Sequence, residues 1–254
     1  MEYLSFKNVY FNYFTKDGEF EALKNLSFDI KKSEFVSIVG PSGCGKTTIL
    51  SLIAGLLEPT RGEILLEGES VKNANIGYMF QRDHLFEWRS IYKNILLGLE
   101  VKNKKHSKED EEYINDLLKK YGLYDFKDKH PSELSGGMRQ RVALIRTLAV
   151  KPKLLLLDEP FSALDFPTRL DVCDDVKKII NQEKQTAILV THDISEAISL
   201  SDRVFILTKR PATLYRIEEM DFDKKLLPLE RRDDKKFAGH FKQIWGELSN
   251  ERAK

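Results

Sequence analysis

The sequence predicts an α/β fold with a mainly parallel sheet around a phosphate-binding loop, together with an antiparallel β subdomain and a helical subdomain insertion. Three observations carry this prediction. A glycine-rich loop at residues 40–48 follows a strand-like run and precedes a helix-like run. Buried-type strands alternate with amphipathic helices from residue 154 onward, as in parallel sheets with right-handed crossovers. The stretch between residues 90 and 150 has helical periodicity and no β-branched strand runs, which indicates an insertion into the α/β core.

The composition indicates a cytoplasmic protein that has no nucleic-acid partner. The chain has 254 residues, of which 41% are hydrophobic and 32% charged, enough for one large α/β domain or two small ones. Its net charge of +1 gives no global basic field. No apolar run approaches the ~20 residues that span a bilayer, and the N-terminus lacks the apolar core of a signal peptide. The two cysteines, Cys44 and Cys173, show neither a disulfide framework nor metal-ligand spacing.

The glycine-rich loop reads G-x-x-x-x-G-K-T, which is the P-loop pattern of NTPases. Its glycines let successive N–H groups point at an anion, and the following helix N-terminus adds to that field. We expect Lys46 to reach the β- and γ-phosphates and Thr47 to ligate Mg²⁺. For Cys44, a small filler role is favoured over a reactive thiol. The predicted nucleotide-binding residues here are Gly40, Pro41, Ser42, Gly43, Cys44, Gly45, Lys46, Thr47 and Thr48.

Two further apolar runs, at 154–157 and 186–190, lead directly into polar side chains. The carboxyl edge of a parallel sheet is where α/β folds place their ligands. We therefore predict that Asp158 holds Mg²⁺ and that Glu159 orients or deprotonates the attacking water. His192 is predicted to donate to a γ-phosphate or to bind a water. The alternative, a strand that ends in solvated acids, is disfavoured because the motifs fit in order and direction.

Three other positions are ambiguous from local sequence. Tyr13 lies in an aromatic cluster upstream of the loop, where it could stack on adenine or pack in the core. Gln81 directly follows a strand-like run and could ligate a metal or lie in a surface loop. The run 135–137 opens a helix whose bare N–H groups could hold a second anion or form a capped turn.

The order of these motifs, over about residues 3–215, resembles the nucleotide-binding subunit of ABC transporters. The most specific element is the run Leu134-Ser-Gly-Gly-Met-Arg-Gln140, which is similar to the signature sequence of that family. The resemblance implies that two subunits bind ATP and Mg²⁺ head to tail, each signature covering the γ-phosphate on the other subunit's P-loop. It implies that Tyr13 stacks on adenine and that Gln81 is the Q-loop glutamine.

The resemblance also implies a role for each motif residue. The implied catalytic residues are Glu159, His192 (the switch histidine), Lys46 and Gln81, and the implied metal ligands are Thr47, Gln81 and Asp158. The residues implied to meet the partner's ATP are Ser135, Gly136, Gly137 and Gln140. Those implied for the dimer seam are Ser162, Ala163, Leu164 and Asp165.

Several runs are similar to the importer branch that handles nitrate, sulfonates and taurine, namely 85–88, 158–165, 191–197 and 207–211. The sequence departs from that branch at Glu87, where proline is usual, and near Ile145 and Thr147, where alanine is usual. The resemblance implies an ATP-hydrolysing importer subunit at the cytoplasmic face of the membrane. Integral membrane permease subunits would contact its helical insertion, and an extracytoplasmic solute-binding protein would act indirectly. The alternatives are another importer class or a soluble ABC ATPase of translation or DNA repair.

We expect a single nucleotide-binding domain over residues 1–254. Its α/β core would comprise 1–88 and 152–215, with the helical subdomain at 89–151 and a charged segment and helix at 216–254. Residues 203–208 are predicted to form the final strand and 218–236 to be exposed. A stripe at helical spacing is predicted to pack on its own domain; it comprises Phe237, Phe241, Ile244, Trp245 and Leu248.

Overall fold

The computed structural model describes residues 2–16, 18–103 and 107–253, so Met1 and Lys254 of the predicted domain lie outside the described residues. The strands are β1 (Glu2–Thr15), β2 (Gly18–Lys31), β3 (Phe35–Val39), β4 (Arg61–Leu66), β5 (Glu69–Ser70), β6 (Ile76–Met79), β7 (Leu154–Asp158), β8 (Thr186–Val190), β9 (Arg203–Leu207) and β10 (Leu214–Glu219). The helices are α1 (Lys46–Ile53), α2 (Ile91–Asn103), α3 (Lys108–Lys120), α4 (Gly136–Ala149), α5 (Phe166–Gln182), α6 (Ile194–Leu200), α7 (Pro228–Asp233) and α8 (Lys235–Ala253). Within the described ranges, no helix combines the length and hydropathy needed to cross a bilayer.

A four-stranded sheet in the order β2-β1-β4-β5 forms one layer, and its neighbouring strands are antiparallel. Gly62 lies where β4 crosses a bulge of β1. A Cβ atom at this position would lie 2.2 Å from the carbonyl oxygen of Asn8, so only glycine fits this close approach. The apolar face of the sheet packs with Ile49 and Leu50 of α1 in one core cluster, which places the phosphate loop at the junction of the two sheets.

The second sheet has six strands in the order β10-β9-β3-β8-β7-β6. The pairings from β9 to β6 are parallel, whereas β10 runs antiparallel to β9 at the edge. This mixed α/β architecture confirms the predicted fold class. The prediction that 203–208 forms the final strand is wrong, because β10 follows it. Charged residues such as Arg216 and Glu219 face solvent along this edge strand, so it lacks the apolar run that marked the central strands.

The segment between β6 and β7 is helical. Its helix α3 begins with a capping box, in which Ser107 and Asp110 each bond to the other's backbone N–H. The buried face of α3 presents Ile114, Leu117 and Leu118 to a cluster that also includes Val142 of α4. The same cluster extends to strand β7, so α4 and its N-terminus are fixed relative to the parallel sheet.

The C-terminal helices pack against the parallel sheet. Ile244 and Leu248 of α8 are buried beside Val39 of β3 and Ile206 of β9, while Trp245 keeps 51% of its surface exposed. The prediction that 218–236 is exposed is wrong in part, because Arg231 is only 2% exposed. Its Nη1 donates to the Ser201 carbonyl at 2.7 Å, and a cation is stabilised at such a helix C-terminus.

Candidate functional site

The phosphate loop joins β3 to α1, and its backbone is available to bind an anion. Gly43 and Gly45 have φ values of 73° and 117°, which glycine adopts without strain. No side chain caps the N-terminus of α1, so its first N–H groups are left for an anion. The Nζ of Lys46 donates to the carbonyl oxygens of Gly40 at 2.9 Å and Pro41 at 3.0 Å. The ammonium group is therefore held inside the curve of the loop.

Cys44 is a filler in this loop. Its side chain is 1% exposed, and its Sγ would lie 2.8 Å from a Cβ atom at Gly40. Burial raises the pKa of the Cys44 thiol, although the charge of Lys46 acts in the opposite direction. A thiol with a raised pKa is a poor nucleophile, which agrees with the filler interpretation.

A cleft of about 710 Å³ opens beside the loop. It brings together Gly40, Ser42 and Lys46 of the loop with Glu159 and His192 of the sheet edge. Its remaining wall comes from the start of α6 and from α8. Among the described residues, the lining includes neither Tyr13, Gln81, Asp158 nor the run 135–140.

Glu159 and His192 meet at the carboxyl ends of adjacent parallel strands. The Nδ1 atom of His192 lies 3.1 Å from Oε2 of Glu159. Glu159 has a φ of 46°, a left-handed conformation that is unusual for a side chain of this kind. Its N–H nevertheless donates to the Val190 carbonyl at 2.8 Å. The β7–β8 pairing thus extends through this turn, and the carboxylate faces the cleft.

Asp158, at the end of β7, accepts a hydrogen bond at Oδ2 from the Tyr78 hydroxyl at 3.0 Å. Burial raises the pKa of the Asp158 carboxyl, and the Tyr78 hydrogen bond counteracts this. The same burial raises the pKa of Tyr78, so its hydroxyl remains a donor. Thr47 and Gln81 are both exposed. Hydroxyl, amide and carboxylate oxygens are hard ligands of the kind that Mg²⁺ accepts alongside substrate phosphates, so this donor set fits the predicted metal.

Tyr13 is attached to the phosphate-loop helix. Its hydroxyl lies 3.0 Å from Oγ1 of Thr48, so the Thr48 side chain is engaged within the protein. The Tyr13 ring contacts Phe11 edge-on and tilts against Phe20, and the Arg210 guanidinium lies over Phe20. This half-buried aromatic surface is suited to an adenine ring, and the stacking role stays a prediction.

The signature run lies at the start of α4. Ser135 is exposed and caps the helix by accepting from the Met138 N–H at 3.3 Å. Gly136 lies close to Leu164, and Gly137 lies close to Val172 and Thr168. Gln140 is only 3% exposed, and its Oε1 has no hydrogen-bond partner among the described residues.

The predicted dimer-seam residues lie beside the signature and next to Glu159 in the chain. The Ser162 hydroxyl donates to the Glu159 carbonyl at 3.0 Å. Leu164 is buried against Gly136, whereas Ala163 and Asp165 are exposed. Asp165 caps α5 through the Thr168 N–H at 3.4 Å, and hydrogen bonds from the side chain and then the backbone of Thr168 lower the pKa of the Asp165 carboxyl.

Sequence reasoning missed three residues that contact this site. Tyr78 bonds to Asp158, while Arg169 and Glu196 form an ion pair behind the histidine loop. Nothing in the local sequence distinguishes Tyr78 from an ordinary strand tyrosine. Glu196 and Arg169 are both charged residues, for which solvent exposure is the usual expectation.

Comparison with known proteins identifies the family of this chain. The ABC transporter family matches residues 23–162, more than half of the chain. The uncharacterized ABC transporter ATP-binding protein YtlC of Bacillus subtilis is 46% identical over 98% of this chain and 97% of its own. The taurine import ATP-binding protein of Ruegeria pomeroyi is 39% identical, covering 94% of this chain and 90% of its own. The nitrate import ATP-binding protein NrtC of Synechococcus elongatus is 43% identical over 92% of this chain and 35% of its own.

The fold is also similar to that of a solved structure. The dimeric structure of an ATP-binding cassette in a post-hydrolysis state, bound to ADP and Pi, has a TM-score of 0.72 and 32% identity. The match covers 87% of this chain and all of that one. The class is thereby defined as an ATP-binding cassette that hydrolyses ATP. The chain belongs to the ABC transporter family, and its likeness is to the branch of nitrate, sulfonate and taurine import subunits.

Proposed function

We propose that this chain energises the import of a small solute of the nitrate, sulfonate or taurine type. It works as a homodimer at the cytoplasmic face of the membrane, beneath a pair of integral membrane permease subunits. An extracytoplasmic solute-binding protein delivers the solute to those subunits. The named functions of the taurine and nitrate relatives support this choice of solute class.

The observation that carries the proposal is the separation of the phosphate cleft from the signature helix. Lys46, Glu159 and His192 line the cleft. Ser135, at the N-terminus of α4, lies outside its described lining and is exposed. A helix N-terminus stabilises an anion, so a second copy in head-to-tail orientation supplies what each cleft lacks. ATP that contacts both copies favours the closed dimer over the open one.

Within the closed dimer, each described group has a separate role in hydrolysis. Lys46 leaves the loop carbonyls and neutralises β- and γ-phosphate charge. Glu159 orients and deprotonates the attacking water, and His192 stabilises the phosphoryl oxygens. Thr47, Gln81 and Asp158 would hold Mg²⁺, which would supply positive charge to offset that of the phosphates when bound.

The surface around Gln81 supports the permease partnership. Phe80, directly before it, is 46% exposed, and Trp88 is 75% exposed and stacked on Phe86. Arg146 fastens the intervening loop to α4 by donating to the carbonyls of His84 and Asp83 at 2.7 and 2.6 Å. Exposed aromatic side chains on a fixed surface are typical of a protein-binding site. A permease contact here would reach both Gln81 and the signature helix.

The test is affinity capture of the chain from gently solubilised native membranes, followed by mass spectrometry of the co-purified proteins. We expect a polytopic membrane protein in near-equal amount. The chain offers a matched pair of aromatic variants, because Trp88 and Tyr215 are both exposed. Trp88→Ala should reduce recovery of the membrane protein severalfold, whereas Tyr215→Ala on β10 should leave it unchanged. Recovery of ribosomal or DNA-repair proteins instead would overturn the transport role and leave the ATPase activity intact.

A further inference from the structure

We infer that Arg169 is a positioning residue for ATP hydrolysis, which holds the loop of His192 and ties it to the loop 162–165. Arg169 closes the first turn of α5 and lies between these two loops. Its Nη2 donates to the Leu164 carbonyl at 2.9 Å. One branch of the guanidinium is therefore bonded directly to the backbone of the loop that follows Glu159.

The other branch of the guanidinium faces two acids at the N-terminus of α6, the N-cap residue Asp193 and Glu196. Its Nη1 lies 3.5 Å from Oδ2 of Asp193 and 3.7 Å from Oε1 of Glu196. The planar fork of arginine satisfies partners on both sides at once. A lysine at this position would offer a single point charge and could not hold both loops.

Both acids fix the backbone around His192. Asp193 caps α6, since its Oδ1 accepts from the N–H groups of Ser195 at 2.8 Å and Glu196 at 3.2 Å. The Thr191 hydroxyl donates to Oε2 of Glu196 at 2.7 Å and accepts from the Asp193 N–H at 3.0 Å. The residues on either side of His192 are thus held by the acids that Arg169 pairs with. The imidazole itself is largely exposed and contacts Glu159.

Burial makes this cation important for the loop. Glu196 is 3% exposed. Its burial raises the pKa of its carboxyl, and the charge of Arg169 acts in the opposite direction. A buried carboxylate that loses its cation must gain a proton or move toward water. Either change alters the hydrogen bond to Thr191 and shifts the backbone that carries His192.

The test compares Arg169→Gln and Arg169→Lys with a matched control, Arg141→Gln. Like Arg169, Arg141 forms an ion pair, in this case with Asp175 of α5 at 3.3 Å. The exposed fraction of its side chain, 27%, is close to the 22% of Arg169. We expect Arg169→Gln to lower kcat by roughly 10- to 100-fold, the scale of small misplacements of a reacting group. Its Kd for ATP should stay within about twofold, because Arg169 lies outside the cleft lining. Arg169→Lys should recover only part of the loss, and Arg141→Gln should show none.

Two further measurements separate positioning from a general loss of structure. The ring-proton NMR resonances of His192, assigned with His192→Ala, should move in Arg169→Gln and stay in place in Arg141→Gln. In the His192→Ala background, adding Arg169→Gln should lower the residual kcat no further, because a residue that acts through His192 has nothing left to position. An unmoved His192 resonance, an unchanged kcat, or full additivity of the two substitutions would each overturn the inference. If Arg169→Gln does not fold, Arg169→Lys carries the same three measurements.

Discussion

The imidazole of His192 and the carboxylate of Glu159 are in contact, with Nδ1 and Oε2 3.1 Å apart. The two residues follow neighbouring parallel strands, and the backbone N–H of Glu159 bonds to Val190 of the adjacent strand. The two groups predicted to act on the water and on the γ-phosphate therefore form one unit of fixed spacing. A change at either residue alters the environment of the other.

Glu159→Gln should abolish turnover while retaining ATP. The amide keeps the size of the side chain but is a far weaker base, so we expect kcat to fall by roughly 10²- to 10⁴-fold. Because ATP is then bound without being consumed, a closed dimer should accumulate, visible by size-exclusion chromatography with ATP and Mg²⁺. The control is Glu63→Gln, since Glu63 of β4 forms an exposed ion pair with Lys7 of β1. A variant that stays monomeric with ATP bound would contradict the composite site.

Lys46→Ala should lose nucleotide binding. The ammonium is the cation held inside the phosphate loop, and we expect the Kd for ATP, measured by calorimetry, to rise at least tenfold, which is about 1.4 kcal/mol. Lys72→Ala is the control, because Lys72 is exposed and pairs with Glu58 at the surface. Unchanged ATP affinity in a folded Lys46→Ala protein would show that the phosphates bind elsewhere.

Glu34→Ala should destabilise the fold strongly. Arg203 donates through Nε and Nη2 to the two carboxylate oxygens of Glu34, and the two residues are 9% and 8% exposed. Removing Glu34 leaves the buried Arg203 with only a distant carboxylate, that of Asp29 at 4.0 Å, and we expect the free energy of unfolding to fall by about 3–5 kcal/mol. Urea denaturation measures this, with Glu63→Ala as the exposed counterpart that should cost no more than about 1 kcal/mol. Equal losses in the two variants would refute the argument.

Lys177 should make stability depend on pH in the alkaline range. Burial lowers the pKa of Lys177 to about 8 in the folded protein, whereas a lysine in the unfolded chain has a pKa of about 10.4. The unfolded chain therefore binds more protons between these values, so this residue's contribution to stability increases as pH rises through that window.

The measurement is the free energy of unfolding of the wild type and of Lys177→Met at pH 7, 8.5 and 10. From pH 7 to pH 10, the free energy of unfolding of the wild type should increase by up to about 3 kcal/mol relative to that of the variant. Lys178→Met is the control, since the neighbouring Lys178 is exposed on the same helix. Parallel curves for the wild type and Lys177→Met would show that Lys177 is not the buried titrating group.

Most of the fold could be predicted from the sequence, because the buried residues of its central strands and helices follow simple local patterns. The apolar runs of β7 and β8 and the capping box at Ser107 are local signals. Strand β10 was missed because an edge strand keeps charged residues on its open side. The burial of Arg231 and Lys177 was also missed, because each depends on a backbone carbonyl from another part of the chain, that of Ser201 for Arg231 and that of Leu200 for Lys177.

In the candidate site, too, the residues of local motifs could be predicted, whereas contacts between distant parts of the chain could not. The phosphate loop and the strand-end acids are contiguous motifs, and motif spacing locates them without a structure. The Tyr78–Asp158 hydrogen bond joins residues from separate strands, and Arg169 joins α5 to α6. Such contacts arise only when the chain is folded, so a single sequence contains no local pattern for them.

The backbone of Glu159 sets a limit on how this protein could be made more stable. A left-handed conformation costs an ordinary residue roughly 1–2 kcal/mol, and glycine or asparagine adopts it more readily. Glu159→Gly would therefore relax the turn and raise the melting temperature while it removed the carboxylate. Laboratory evolution that selected for thermal stability alone would favour substitutions at this position. It would enrich thermostable proteins that no longer hydrolyse ATP.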